Sequence, residues 1–248
     1  RVLFRSIEVA EALLREHGKA LDGDTSKLAQ ILADTSAEPE RQLDLMIAEI
    51  KSMLGEKGFA IVFEAALASV LGDIKSDLEE FGVEPQHWYS ERGLVDSGAI
   101  ARTLDLLTTK NMLYNEDGAK WFRASEFGDE KDRVVVRENG ATTYFASDIA
   151  YHFEKRERGF THLLDVLGSD HHGYVARVRA GLEAMGEQNE CLEVRLVQFV
   201  TLYRGRQKMQ MSTRSGEYVT LRQLREEVGN DAARFFYVSR SNDQHLDF

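Results

Sequence analysis

Apolar residues recur at helical spacing through the first third of the chain. Ile7 to His17 and Ser26 to Leu32 each gather them on one face, and each predicts a helix. Leu43, Met46, Ile47, Ile50 and Leu54 follow a three-four repeat, one buried stripe of a helix starting near Pro39, with Ser36 as its candidate cap. Gly55 and Gly58 punctuate that stripe. Phe59 to Phe81 is a long helical run that stops at Gly82, and Pro85 follows, as is common after a helix end.

The texture changes after His87. Trp88-Tyr89-Ser90-Glu91 is short, aromatic and strand-like, and Ala99 to Lys110 returns to helical spacing. Ala119 to Arg123 and Arg133 to Arg137 read as two short strands around an acidic, glycine-containing loop. Asn139-Gly140 is a strong hairpin signal, because both residues tolerate positive φ. It leads into Thr142 to Phe145 as a further strand, so a small antiparallel unit sits among helices. The C-terminal stretch then alternates. Leu163 to Leu167 suits a buried parallel strand, Val175 to Met185 a helix, Leu192 to Val200 a strand, and Leu221 to Val228 and Asp231 to Arg240 helices. Alternation of this kind predicts an α/β fold with a parallel sheet and helical crossovers. No internal repeat or low-complexity segment interrupts it.

Composition narrows the setting. The 248 residues are 43% hydrophobic and 29% charged, which suits a packed core. The single cysteine, Cys191, excludes an intrachain disulfide and a cysteine-based zinc cluster, and fits a reducing cytoplasm. No apolar run approaches the ~20 residues that span a bilayer, and no secretory signal opens the chain. The first residue is Arg1 rather than methionine and a helical pattern follows at once, as expected of a truncated start, so Arg1 to Ser6 receive no structural meaning. The net charge of −11 weakens nonspecific attraction to nucleic acid, yet a local basic patch can still dock RNA on an acidic protein.

Three segments carry candidate chemistry. In an open parallel sheet, ligands bind beyond the carboxyl ends of the strands. Gly168-Ser169-Asp170-His171-His172-Gly173 occupies that place. Gly168 would admit a flat ring, Asp170 could accept from a ribose, and the histidines could donate to phosphate or hydroxyl oxygens. Equally, Ser169 or Asp170 could cap a helix and leave the histidines on the surface. Adjacent histidines diverge on a helix, so a zinc site is not expected. Lys208-Met209-Gln210-Met211-Ser212-Thr213-Arg214-Ser215-Gly216 is polar and basic. It could wrap a triphosphate with charge and backbone N–H groups, or be a solvated turn. Tyr144 and Asp148, four residues apart, share a face if the chain turns helical there. A carboxylate beside a phenol suits a guanidinium, although Asp148 could simply cap a helix.

Together and in this order, the three segments resemble those of bacterial arginyl-tRNA synthetases, class I aminoacyl-tRNA synthetases with a Rossmann-type catalytic domain. Tyr144-Phe145-Ala146-Ser147-Asp148-Ile149-Ala150-Tyr151-His152 is similar to the family's arginine-recognition segment. Gly168 to Tyr174 resembles the segment that meets adenosine, and Met211 to Leu221 the phosphate loop and its continuation. The tail, with Asp231 to Tyr237 and His245-Leu246-Asp247-Phe248, also resembles the family. The likeness covers the chain from about Phe81 onward and is strongest over 109–248.

The resemblance implies an arginine–tRNA ligase. Tyr144 and Asp148 would hold arginine. Gly168, Asp170, His171, Gly173 and Met211 would bind ATP, and Lys208, Ser212, Thr213 and Arg214 would form the catalytic phosphate loop. ATP with Mg2+, arginine and tRNA(Arg) are the implied ligands, without a protein-bound metal, in a cytoplasmic enzyme that is monomeric at full length. Residues 1–110 would be a helical insertion of the catalytic domain, 111–145 a small antiparallel β insertion, and 146–248 the second half of the Rossmann-type ATP-binding fold. Two departures stand out. Gln210 and Thr213 occupy positions where the family loop often has lysines. The His-x-Gly-His motif and the helical anticodon-binding domain are not in this chain, so the fragment alone is expected to be inactive. A noncatalytic nucleotide- or RNA-binding paralogue is the alternative. A cysteinyl enzyme would need more than one cysteine.

Overall fold

The structure is a computed structural model that describes residues 2–34, 38–209, 211 and 218–248. It divides into two compact units, Arg1–Glu84 and Pro85–Phe248.

The first unit is helical: α1 (Val2–His17), α2 (Ser26–Ala33) and α3 (Pro39–Glu80). Pro39 opens α3 as expected, since the first turn has no use for the missing N–H. Ser36, the expected cap, lies outside the described residues, and Glu38 stands at the N-cap without a side-chain cap bond. Gly55 breaks α3 with φ 66° and ψ 175°, a backbone state open to glycine, so two helical segments meet at a kink. Gly58 lies within the helix beyond it. Gln42 Nε2 donates to the carbonyls of Ile31 at 2.8 Å and Asp34 at 3.1 Å, which satisfies acceptors left open at the end of α2.

The second unit opens with a surprise. Trp88–Ser90 is extended but pairs with no described strand, and α4 (Glu91–Asp96) begins at Glu91. The aromatic content serves packing instead of a ladder. The Tyr89 ring lies 4.6 Å from that of Tyr151, and its hydroxyl donates to Glu154. After α5 (Ala99–Thr109) comes an antiparallel sheet of β1 (Leu113–Glu116), β2 (Ala119–Phe122) and β3 (Arg133–Val136). β1 was not anticipated from the hydrophobic pattern. Its link to β2 is Asp117-Gly118, both at positive φ (50° and 75°), the chemistry of a two-residue hairpin. The turn at Asn139-Gly140 forms, but the strand expected at Thr142 to Phe145 does not. A single bridge joins Thr142 to Val136, and α6 (Tyr144–Glu157) starts at once. Thr143 is the reason: its hydroxyl accepts from the Ala146 N–H and caps the helix.

β4 (Leu163–Gly168), α7 (His172–Met185) and β5 (Leu192–Val197) form the expected parallel crossover, with Leu163 opposite Leu192 and Gly168 opposite Val197. β4 is covered on one face only among the described residues, for Leu164 and Val166 are 55% and 65% exposed. Beyond β5, short pieces take over. β6 (Val200–Thr201) pairs with β9 (Leu246–Asp247), and β7 (Tyr203–Arg204) with β8 (Gln207–Lys208). Helices α8 (Leu221–Val228) and α9 (Asn230–Val238) lie between β8 and β9 in the chain. The core of this unit is built from α5, α6, α7 and the sheets, with Leu107, Phe122, Val135, Ile149, Val178 and Leu182 fully enclosed. Each such side chain contributes about 1.5–3 kcal/mol by leaving water. No helix among the described residues is long and apolar enough to cross a membrane.

Candidate active site

Tyr144 sits in the first turn of α6, 79% exposed, and Asp148 follows one turn later on the same face. The helix gives the pair the shared orientation that their spacing predicts. Asp148 is half-buried, and burial pushes its carboxyl above the usual carboxylate range. The Tyr174 hydroxyl donates to it and pulls the other way, as do His152 and His171, while Glu91 adds to the rise. The Tyr174 phenol is in turn pushed up, first by burial and then by the Asp148 carboxylate.

Tyr174 belongs to α7, so the contact with Asp148 depends on how closely α6 and α7 approach. Gly181 sets that distance. A Cβ there would stand 2.8, 2.9 and 3.0 Å from three side-chain carbons of Ile149. Only a residue without Cβ lets α7 lie against this part of α6.

One turn beyond Asp148, His152 is 3% exposed. Its Nδ1 lies 2.7 Å from the Asp148 carbonyl oxygen and its Nε2 2.5 Å from Asp165 Oδ2. Lys155 Nζ donates to the other Asp165 oxygen at 3.1 Å. Burial alone would raise the Asp165 carboxyl, but His152 and Lys155 together hold it below the ordinary value. Sequence reasoning singled out neither Asp165 nor the role of His152. The available signals were a lone carboxylate inside the apolar run Leu163-Leu164-Asp165-Val166-Leu167 and a histidine continuing the four-residue spacing of Tyr144 and Asp148.

β4 ends at Gly168, where the Asp170 carboxylate lies against the glycine: an added Cβ would meet Oδ1 at 2.5 Å. Ser169–His171 form one 3₁₀ turn and α7 starts at His172. His171, not Ser169 or Asp170, occupies the N-cap of α7, and it makes no side-chain cap bond. The His172 N–H at the start of α7 donates to the Ser169 carbonyl, and Gly173 follows in the first turn. Asp170 and His171 are exposed, 3.8 Å apart, and the His171 ring meets Tyr174 edge-on. Tyr174 thus touches both Asp148 on α6 and His171 in the loop after β4.

The third segment is only partly visible. Lys208 is exposed on β8, and Met211 is 50% exposed, its sulfur accepting from Val219 N–H at 3.4 Å. Ser212, Thr213 and Arg214 lie outside the described residues, as does Gln210. Among the described residues no hydrogen bond or ion pair joins Lys208 or Met211 to Asp148 or to Asp170. Among them, too, no three His, Cys, Asp or Glu side chains converge as a metal ion would require.

Comparison with known proteins gives this geometry its context. Residues 90–244 match the family model of class I tRNA synthetases (R), catalytic domain. The arginine–tRNA ligase of Hydrogenovibrio crunogenus is 53% identical over 97% of the chain, which spans 42% of that relative. That of Coxiella burnetii strain RSA 493 is 51% identical over 98% of the chain and 41% of the relative. The chain thus spans about two-fifths of the curated relatives it matches. Among solved structures, an arginyl-tRNA synthetase from Campylobacter jejuni superposes with a TM-score of 0.72 at 28% identity, over 98% of this chain and 52% of its own. The Thermus thermophilus arginyl-tRNA synthetase shares the fold with a TM-score of 0.62 at 18% identity, over 98% of this chain and 50% of its own. With most of its second unit matched by the family model and half its residues identical to such relatives, the chain belongs to the class I arginyl-tRNA synthetases, as part of their catalytic region.

Proposed function

We propose that this chain supplies part of the active site of an arginine–tRNA ligase. The observation that carries the reading is Asp148: a half-buried carboxylate on one helical face with Tyr144, joined by Tyr174 to the loop that follows a parallel strand. No lysine or arginine side chain pairs with Asp148 among the described residues, which leaves it for a cationic substrate.

In the first step a carboxylate oxygen of arginine attacks the α-phosphorus of ATP. The bond to the bridging oxygen breaks, and pyrophosphate leaves with arginyl-adenylate behind. In the second, the terminal ribose hydroxyl of tRNA(Arg) attacks the activated carbonyl, loses its proton and releases AMP. Neither step needs a side-chain nucleophile, so the protein's contribution is alignment and charge compensation. Asp148 and Tyr144 hold the guanidinium. A planar fork answers a carboxylate with two hydrogen bonds, which a lysine ammonium cannot match. Gly168, Asp170, His171 and Gly173 seat the adenosine. Met211, Lys208, Ser212, Thr213 and Arg214 attend the triphosphate and the departing pyrophosphate. Magnesium arrives with ATP as part of the substrate.

On this reading residues 1–110 are the helical insertion, 111–145 the β insertion and 146–248 the second nucleotide-binding half. The two compact units divide at 84/85 rather than at 110, and α4 and α5 pack within the second. The full-length enzyme is read as a cytoplasmic monomer.

The test is Asp148→Asn in the full-length gene product, followed by arginine-dependent ATP–pyrophosphate exchange with tRNA(Arg) present. Loss of a charged hydrogen bond costs about 1.5–3 kcal/mol, or roughly 10- to 150-fold in arginine kcat/KM, with ATP binding retained. Near-normal exchange would refute the assignment of Asp148 to arginine.

A further inference from the structure

The buried group that the reaction above leaves without a role is His152. A buried imidazole needs partners for both ring nitrogens, and this one has them on two different elements. Nδ1 lies 2.7 Å from the carbonyl oxygen of Asp148 on α6, and Nε2 lies 2.5 Å from Asp165 Oδ2 on β4. Lys155, from the next turn of α6, closes on the same carboxylate at 3.1 Å. The turn of α6 that carries Asp148 is therefore tied to β4 by two donors from one helix face. β4 ends three residues beyond Asp165 in the Gly168 loop.

We propose that His152 is a positioning residue for arginine recognition: it fastens the main chain at Asp148 to Asp165 of β4, and so holds the guanidinium-binding carboxylate in fixed register with the loop that follows β4. This rests on the arginine–tRNA ligase reading. It adds a reason for the tie. The attack on the α-phosphorus joins two substrates held by two elements, one by α6 and the other by the loop after β4. An error on the order of 1 Å in their relative placement costs about 100-fold in such a reaction. Packing alone, through Ile149 and Gly181, sets the approach of α6 to α7. The His152 bonds set the register of α6 along β4, which apolar contacts fix poorly because they are non-directional.

The experiment is arginine-dependent ATP–pyrophosphate exchange, with tRNA(Arg), on the full-length gene product carrying His152→Ala, His152→Asn, His152→Gln or Asp165→Asn. An asparagine amide reaches the position of Nδ1 and a glutamine amide that of Nε2, so each keeps one arm of the tie. With the tie cut by His152→Ala, KM for arginine rises by about tenfold or more and kcat falls, while KM for ATP stays within about twofold. Asn and Gln each recover part of the arginine KM. A merely structural role gives a different pattern, a smaller active fraction that lowers kcat and leaves both KM values alone. That pattern, an unchanged arginine KM, or a parallel rise in both KM values overturns the proposal. Should His152→Ala fail to fold, Asp165→Asn and His152→Gln decide by the same split, because both keep size and a hydrogen-bonding group. Asp148→Asn run alongside separates the two levels. If it leaves exchange intact, the arginine reading itself fails. If it abolishes exchange while the His152 variants keep the wild-type arginine KM, only the positioning role fails.

Discussion

Gly181→Ala tests the idea that the site is set by how closely α6 and α7 pack. The added Cβ would stand 2.8 Å from Ile149 Cγ1, 2.9 Å from Cγ2 and 3.0 Å from Cδ1. Carbon–carbon contacts are comfortable at about 3.5–4.0 Å, so the three overlaps total well over 1 Å. Ile149 cannot swing aside, because it is fully buried and branched at Cβ. Either the helices part or the ring of contacts around Ile149 rearranges, at a cost of about 1–3 kcal/mol. Against that stands the better helix propensity of alanine, worth up to ~1 kcal/mol over glycine. With the full propensity gain the net is a loss of up to roughly 2 kcal/mol, equivalent to as much as about a 30-fold shift in the local opening equilibrium. Amide hydrogen exchange of the full-length gene product reads this directly, as faster exchange in the facing turns of α6 and α7 with little change in β1–β3. The same parting draws Tyr174 from Asp148, so arginine kcat/KM falls as well. Slower exchange in α6 and α7 would mean that propensity outweighs the overlap, and the packing argument would be wrong.

Two further tests follow from the site. On the proposed reading the form of Asp148 that binds arginine is the ionised one, and burial raises its pKa above 3.8. Arginine kcat/KM therefore falls as pH drops through a midpoint above 3.8, and Tyr174→Phe, which removes a bond that favours the carboxylate, moves that midpoint higher. An unmoved or lowered midpoint in Tyr174→Phe contradicts the assignment. Thr143→Ala removes the cap of α6, whose hydroxyl accepts from Ala146 at 3.4 Å and donates to the Val134 carbonyl at 2.9 Å. A cost of about 1 kcal/mol, seen as roughly fivefold faster exchange in the first turn of α6 that carries Tyr144, is the expected outcome.

How much of this was legible in the sequence follows from the range of each interaction. Helices announced by a sustained apolar period stand where the period places them, as in α5, α7 and α8. Short segments fared unevenly, because a four-residue run has too few positions to carry a period: β2 and β3 stand where they were read, and two others do not. Trp88 to Glu91 looked like a strand since aromatic residues favour sheets, yet it pairs with no strand among the described residues. Thr142 to Phe145 looked like a strand after a hairpin turn, but Thr143 is a cap, and a cap acts on the residues that follow it. Asp117-Gly118 is a turn signal of the same kind as Asn139-Gly140, so β1 was readable and was passed over. In the site, Tyr144 and Asp148 could be paired from spacing because one helix turn joins them. His152 and Asp165 could not, since their bond spans 13 residues and two elements.

The two carboxylates near His152 show why the arrangement suits recognition of a cation. Asp148 and Asp165 both lose water, and burial raises each, but their surroundings drive them apart. Asp165 receives His152 on one oxygen and Lys155 on the other, and ends below the ordinary range. Asp148 receives a neutral phenol and ends above it. On the proposed reading, a guanidinium entering this region meets one carboxylate already partnered by His152 and Lys155 and one partnered by a phenol. Binding there, on the same reading, replaces a burial penalty with a charge-assisted pair, and the gain is largest at Asp148, which has no lysine or arginine partner among the described residues.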